Sequence, residues 1–322
     1  SDPQYLVDFL AEWSAIAVCM NRNYRSGRTI VEAANRAIAP AKVRLPVEMI
    51  AERDLDGTVV AVECADLDDE GRQFVGWARK HREDGRAWGD FFCLFRVNAQ
   101  SRAVEEALLG ARIPYVVIGG TSFYERKEVK DLLAYLRVAA GGDQSDAVRR
   151  CINAPFRYLG RVFVDRVMDL ACSGCDWGEV VVQAARQSGV QRRQQQSAGE
   201  WALMVERIAA RVAGAQRPAA ILGDIVRETG YVEWLTKEEG GESIENSRAS
   251  NVRELCRVAE RFTTVAELLA YVDESIVASK RNERGGGDRV RLMSIHRVKG
   301  LEAACVWVVG CCEGMLPHGN GD

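Results

Sequence analysis

Apolar residues follow two kinds of pattern along this chain. Short runs that are wholly or mainly apolar occupy residues 15–20, 58–64, 91–95, 115–118 and 305–309. Such runs mark strands buried on both faces. Residues 289–295 instead alternate apolar and polar side chains, as a strand does. Helical spacing links these runs: residues 4–14, 29–39 and 69–81 read as helices. The helix that follows residue 102 carries Val104, Ala107, Leu108 and Ala111 on one face. Another opens at 123–131 and places Val129, Leu132, Leu133 and Leu136 on one stripe. From there to about residue 279 strand signals almost vanish. Helical periodicity recurs at 162–170, 201–212, 221–229, 252–262 and 265–278, with 191–196 and 237–250 as polar connections. Residues 281–288, Arg-Asn-Glu-Arg-Gly-Gly-Gly-Asp, read as a linker that can pivot. The expected architecture is α/β, with a discontinuous parallel-sheet domain at 1–121 and 289–322. An all-helical domain is inserted at 122–288.

Composition changes this picture little. An apolar content of 47% and a charged content of 28% are those of a globular protein. No apolar run approaches a membrane span, no secretory leader is visible, and a cytoplasmic location is expected. Ser1-Asp2-Pro3 looks like a cut inside a larger chain. The net charge of −3 does not announce a nucleic-acid binder, yet only a contact surface has to be positive. The ten cysteines are irregularly spaced, and Cys172-x-x-Cys175 stands without a second pair at zinc-ribbon distance. They read as reduced, mostly buried thiols, and no metal site is expected.

The candidate chemistry sits where strands end. His296, Arg297, Lys299, Gly300 and Glu302 cluster between two strands, where an α/β sheet presents ligands or, equally, carries a charged surface loop. Residues 21–27, Asn-Arg-Asn-Tyr-Arg-Ser-Gly, join a strand to a helix, with Ser26 as its N-cap. That geometry suits phosphate and also suits a plain capped turn with a solvated arginine. Arg96-Val97-Asn98-Ala99-Gln100-Ser101-Arg102 follows another strand; Asn98 is either a helix cap or a phosphate contact. Arg149, Arg150, Arg157 and Arg161 make one neighbourhood of the helical part cationic, as a binding surface or a solvated face.

The order of these segments carries a resemblance. Ser294-x-His296-x-x-Lys299-Gly300-Leu301-Glu302 closely resembles the fifth signature motif of the UvrD/Rep family of superfamily-1 DNA helicases, where the first residue is usually Thr. Asn23-Tyr24-Arg25-Ser26 with 30–35 resembles the fourth motif, and 96–102 resembles the segment lying along single-stranded DNA. Residues 123–131 resemble the exit from domain 2A into the inserted domain 2B. Residues 151–160 resemble the Asn-x-Pro…Gly-Ile-Gly turn that helps hold duplex DNA, with Tyr158-Leu159-Gly160 in place of Gly-Ile-Gly. The missing first glycine removes a position open to positive φ. Residues 313–318 resemble the Glu-Gly-x-x-Pro-His segment that ends on a phosphate-touching histidine.

The resemblance implies a RecA-like domain of the 2A type with a helical 2B insertion. It implies ATP with Mg2+ in a cleft against a second RecA-like domain, bound mainly by that other domain. Arg25 would reach the γ-phosphate, Glu302 the ribose, and Lys299 and Gly300 would shape the loop linking nucleotide to DNA. Arg96, Asn98, Ser101, His296 and His318 would hold single-stranded DNA, and Arg157 and Gly160 the junction with duplex. Travel would be 3′-to-5′. The sequence holds no Gly-x-x-x-x-Gly-Lys-Ser/Thr loop, no Asp-Glu pair at a strand end, and neither the third nor the sixth motif. It therefore looks like the carboxy-terminal half of a helicase, inactive alone as an ATPase. A helicase–nuclease of the RecB or AddA kind and a non-catalytic DNA-binding or adaptor module on the same scaffold are the alternatives.

Overall fold

Parallel pairing decides where the strand ends lie, so the sheet comes first. A computed structural model describes residues 4–16, 18–41, 47–141, 144–172, 174–238, 248–284, 287–313 and 316. Its internal contacts divide it into two units, Ser1–Cys64 and Ala65–Asp322. In the larger unit β3 (Phe91–Phe95), β4 (Tyr115–Val117), β5 (Val290–Ser294) and β6 (Cys305–Val308) form one sheet in the order β4-β5-β3-β6. Every pairing is parallel. Central β3 is buried along its whole length, as its unbroken apolar run requires. Its odd positions Phe91, Cys93 and Phe95 face α3 (Leu67–Glu83) and α4 (Ser101–Gly110) through Phe74, Ala78, Val104 and Leu108. Its even positions Phe92 and Leu94 join Met293, Ile118, Ile295, Val298 and Ala303 on the other face. Each Phe or Leu so buried contributes about 1.5–3 kcal/mol. Strand β6 was expected to be buried on both faces. It is an edge strand whose Val306 and Val308, on the same sheet face as Phe92 and Leu94, are exposed, because the small cluster that covers that face does not reach them.

Between β4 and β5 the described chain is helical. It runs through α5 (Lys127–Ala140), α6 (Ser145–Cys151), α7 (Arg161–Leu170), α8 (Trp177–Ala185), α9 (Arg192–Ala213), α10 (Pro218–Thr229), α11 (Tyr231–Glu238), α12 (Arg248–Ala259) and α13 (Val265–Arg284). The stripe Val129, Leu132, Leu133 and Leu136 of α5 sits fully inside their shared core. Periodicity failed for short helices, so α6, α8 and α11 were not foreseen. The expected connection at 191–196 is instead the first turn of α9; arginine and glutamine are good helix formers whatever their polarity. The expected linker is corrected as well. Helix α13 continues through Arg284, residues 285–286 lie outside the described residues, and Gly287 takes φ 112°.

In the smaller unit, α1 (Gln4–Glu12), β1 (Arg22–Asn23), α2 (Arg28–Ile38) and β2 (Ile50–Ala51) are the regular elements, with β1 and β2 parallel. The strands expected at 15–20 and 58–64 are not formed among the described residues. Ile16, Val18, Met20, Val59, Val60 and Val62 are exposed there. A strand exists only with a hydrogen-bonded neighbour, and the pairing seen in this unit is that of β1 with β2.

Candidate functional site

Arg25 lies in the loop between β1 and α2. The Asn23 carboxamide oxygen accepts from the backbone N–H of Arg25 (3.0 Å) and of Ser26 (2.9 Å), folding the loop over its own side chain. Arg53 donates to the Arg25 carbonyl at 2.7 Å and fixes it from the other side. The cap of α2 is Gly27 and not the expected Ser26. A Cβ at Gly27 would stand 2.4 Å from the Leu55 carbonyl oxygen, so only glycine lets the loop approach residues 55–57 this closely. Its neighbours Arg22 and Arg28 pair with Glu52 and Asp54, while the Arg25 side chain is exposed beside a helix N-terminus. That end of a helix favours anions. Asn35, part of the same motif, bonds Met49 in both directions (2.8 and 3.1 Å) and so positions the approach to β2.

In the larger unit the strands' carboxyl ends share one edge, and β3 and β5 pair through Phe95 and Ser294. This brings together two residues two hundred positions apart: Arg96 Nη1 lies 3.2 Å from Nδ1 and 3.3 Å from Nε2 of His296. Buried Gln100 holds the chain after β3, its side-chain oxygen accepting from the N–H of Arg96 (2.9 Å) and of Val97 (3.0 Å). Asn98 opens the single 3-10 turn Asn98–Gln100, and its carbonyl accepts from the Ser101 hydroxyl at 2.9 Å. After β5 the chain turns through 295–300. Ile295 and Val298 pack down on Phe92, Leu94 and Met293, leaving His296, Lys299, Gly300 and Glu302 exposed above. Gly300 has φ 89°, a conformation that favours glycine at this reversal. Arg297 lies across Gly119 (φ 69°), where a Cβ would come within 2.3 Å of its guanidinium. The glycine pair after β4 was the only sequence signal of that approach. An exposed imidazole, guanidinium, ammonium and carboxylate on one edge can meet an anionic backbone and a hydroxyl together.

Ser101 is not part of that exposed edge. It is fully buried; its one hydroxyl proton is shared between the Asn98 carbonyl and the nearer Glu105 oxygen (2.7 Å), and its oxygen accepts from Arg126 (2.7 Å). The next residue, Arg102, is 1% exposed and is held by Asp68 (2.6 Å), Glu106 (2.8 Å) and Glu254. Arg257 and Arg261 complete this network on Glu254 (3.0 Å) and Glu106 (2.8 Å). Burial by itself would raise the Asp68 carboxyl, but the charge and hydrogen bond of Arg102 hold it below its ordinary range. For Glu105 burial wins over Arg126 and Ser101, and the carboxyl is raised. His318 lies outside the described residues.

The turn after α6 holds Arg157 and Gly160. The Arg157 guanidinium points inward and donates to the carbonyls of Cys151 (3.3 Å), Ile152 (3.4 Å) and Pro155 (3.1 Å), above the Tyr135 ring. It holds the turn together. Gly160 caps α7 in extended backbone with open space where a Cβ would stand, so nothing local demands glycine there. Tyr158, at the position of the glycine expected in the Gly-Ile-Gly pattern, has φ 63°. The positive-φ position expected to be lost is kept, with a tyrosine carrying the strain. Among the described residues no three His, Cys, Asp or Glu side chains are arranged to hold a metal, and no helix is long and apolar enough to cross a membrane.

Comparison with known proteins matches residues 18–320 to the family described as the UvrD-like helicase C-terminal domain. The chain is 31% identical to the ATP-dependent DNA helicase PcrA of Bacillus subtilis over 95% of its own length and 42% of that protein's. It is 28% identical to the proteins of the same name from Staphylococcus epidermidis and Staphylococcus aureus, over 99% of this chain and 44% of each. It thus spans less than half the length of these curated relatives. With a parallel sheet, a helical insertion and the motif turns at strand ends, the chain belongs to the UvrD-like helicase C-terminal domain family.

Proposed function

We propose that this chain forms the second half of an ATP-dependent DNA helicase that moves 3′-to-5′ on single-stranded DNA and opens duplex ahead of it. The reading is carried by one observation: Arg96 and His296 converge on the sheet edge beside the exposed 296–302 turn. Residues 1–121 and 289–322 form the nucleotide- and strand-facing domain, and 122–288 the helical insertion. Arg96, Asn98, His296 and His318 contact the sugar–phosphate backbone and are blind to sequence. Ser101 and Arg157 serve this surface indirectly, by shaping the turns that carry it, and Gly160 faces the duplex from the start of α7.

Arg25 stabilises charge developing on the γ-phosphate of ATP, as a permanently charged, two-donor guanidinium can. Its exposed place at a helix N-terminus fits an anionic partner. Glu302 accepts from the ribose, and Lys299 with Gly300 passes the state of the nucleotide to the DNA-holding turn. The phosphate loop and the Mg2+ carboxylates come from another RecA-like domain of a longer, cytoplasmic protein. This chain alone therefore has no ATPase activity. The test is binding of fluorescent single strands of several sequences, followed by anisotropy across a salt series. Sequence-independent binding that weakens linearly in log salt is expected. Binding that ignores salt, or that prefers one sequence strongly, overturns the reading.

A further inference from the structure

The turn at 155–162 exposes an aromatic pile whose position no glycine-based turn would create. Tyr158 projects at φ 63° with the Arg193 guanidinium 3.5 Å above its ring. Phe156 meets the same ring edge-on at 4.6 Å between centroids. Phe156 is 58% exposed and Val162, on the first turn of α7, is 71% exposed. The pile is braced from behind: Gln194 donates to the Tyr158 carbonyl at 3.0 Å, and the Asn153 oxygen accepts from the Arg157 N–H at 2.6 Å. Arg149, Arg161, Arg192 and Arg193 are exposed around it. Asp165 is shared by Arg149 (3.5 Å) and Arg161 (3.8 Å). On the side of Phe156 that faces Asp131, Asp146 and Glu238, Arg150 pairs with Asp131 and Lys127 and Arg248 with Glu238.

We propose that Phe156 and Tyr158 form a stacking platform for an unpaired DNA base at the junction of single and double strands, with Arg161 and Arg193 on the flanking phosphates. This rests on the DNA-binding function proposed above and adds how the turn recognises its ligand. A rigid, exposed ring braced by a guanidinium and ringed by arginines suits a nucleobase. Such a base has a flat π-face and an anionic backbone on either side. A purely apolar protein partner would not need four exposed arginines, and a purely phosphate-binding turn would not need the rings. The strained backbone at Tyr158 has the same reading: it aims the ring outward at a place where glycine would leave bare backbone.

The experiment uses the 322-residue chain and a forked DNA with 2-aminopurine as the first unpaired base, at low salt. Binding of the unaltered chain should quench or shift the probe. Phe156→Ala should weaken fork binding by about tenfold, with the salt slope unchanged. Arg161→Ala should instead flatten the salt slope by about one unit. Tyr158→Gly keeps the turn, since glycine takes positive φ freely, and should lose the probe signal without losing the fold by circular dichroism. If forks bind but the probe signal and affinity are the same in Phe156→Ala and Tyr158→Gly, the stacking inference is overturned and the DNA-binding function stands. If neither forks nor single strands bind, both fall.

Discussion

Arg96 and Arg102 sit six residues apart in one motif, on either side of the turn after β3, and do opposite work. Arg96 stands at the sheet edge against His296. Arg102 is sealed between α3, α4 and α12 by three carboxylates. A guanidinium among carboxylates inside a protein gives up its hydration and is held only by those partners. One on a strand end keeps its water and can exchange it for phosphate. The difference is one of helix phase: Gln100 pins the turn so that 96 faces out, and the first turn of α4 carries 102 inward. The same contrast separates Arg157, spent on three backbone carbonyls, from Arg161 and Arg193 beside it. Arginine count alone is therefore a poor guide to a nucleic-acid surface in this protein.

The largest effect should come from the buried side of the comparison. Arg102→Ala leaves Asp68, Glu106 and Glu254 facing one another with one cation fewer. It should cost about 3–5 kcal/mol, a drop in Tm of roughly 10 °C read by thermal denaturation. A loss under 1 kcal/mol would mean Arg257 and Arg261 hold the acids by themselves. The ion pair of Arg102 with Glu254 also ties α4 to α12, so a rigid swing of the whole 122–288 region must break it. Spin labels on α4 and α12 should keep one separation in the unaltered chain and broaden in Arg102→Ala.

Next in size is Arg25, on the exposed side. In the longer helicase proposed here, Arg25→Ala should lower the ATP turnover rate by roughly 10²-fold, the scale of lost transition-state charge stabilisation. Melting temperature and DNA affinity should stay where they were. A stability loss instead would place Arg25 with Arg102 as a structural arginine.

A smaller change is expected at the sheet edge. Arg96→Ala with His296→Ala should weaken single-strand binding by about the same factor for every sequence. The salt slope should fall by roughly one to two units, one for each phosphate that is no longer neutralised. Thermal stability should hardly move. Sequence-dependent weakening in the anisotropy assay would remove both residues from backbone recognition.

The smallest effect is a pH dependence. Burial acts to raise Asp68, but Arg102 and Arg257 hold it below the ordinary 3.8. A depressed carboxyl adds stability that is complete above that ordinary value and is lost as pH falls through the lower folded one. Urea midpoints between pH 5 and pH 2.5 should therefore fall less steeply in Asp68→Asn. Equal slopes would show that Asp68 does not sense Arg102.

Much of this was legible from residue order. The apolar run at 91–95 and the alternation at 289–295 marked two strands, although β5 is covered on both faces, with Val290 and Leu292 in one core cluster and Met293 in the other. The stripe on α5 marked a helix. The runs at 15–20 and 58–64 are also mainly apolar and make no strand among the described residues of their unit, since period reports burial preference and not the presence of a neighbour to pair with. Short α6, α8 and α11 have too few turns to establish a period. The polar start of α9 has no apolar face to betray it.

What the sequence by itself determined is local: which stretches prefer strand or helix, and a motif order that points to one family. What only the tertiary structure decided is who faces whom. The meeting of Arg96 with His296 across two hundred residues depends on β3 and β5 being parallel neighbours in a given register. The burial of Arg102 depends on a helix contributed from far along the chain, whereas the inward turn of Arg157 is held by carbonyls two to six residues away and the Tyr135 ring. The positive φ of Tyr158, read from sequence as forfeited with the glycine, is present in a residue held by Gln194 and Arg193 from α9. Local preferences amount to about a kilocalorie per residue, and the packing and desolvation that decide exposure are several times larger.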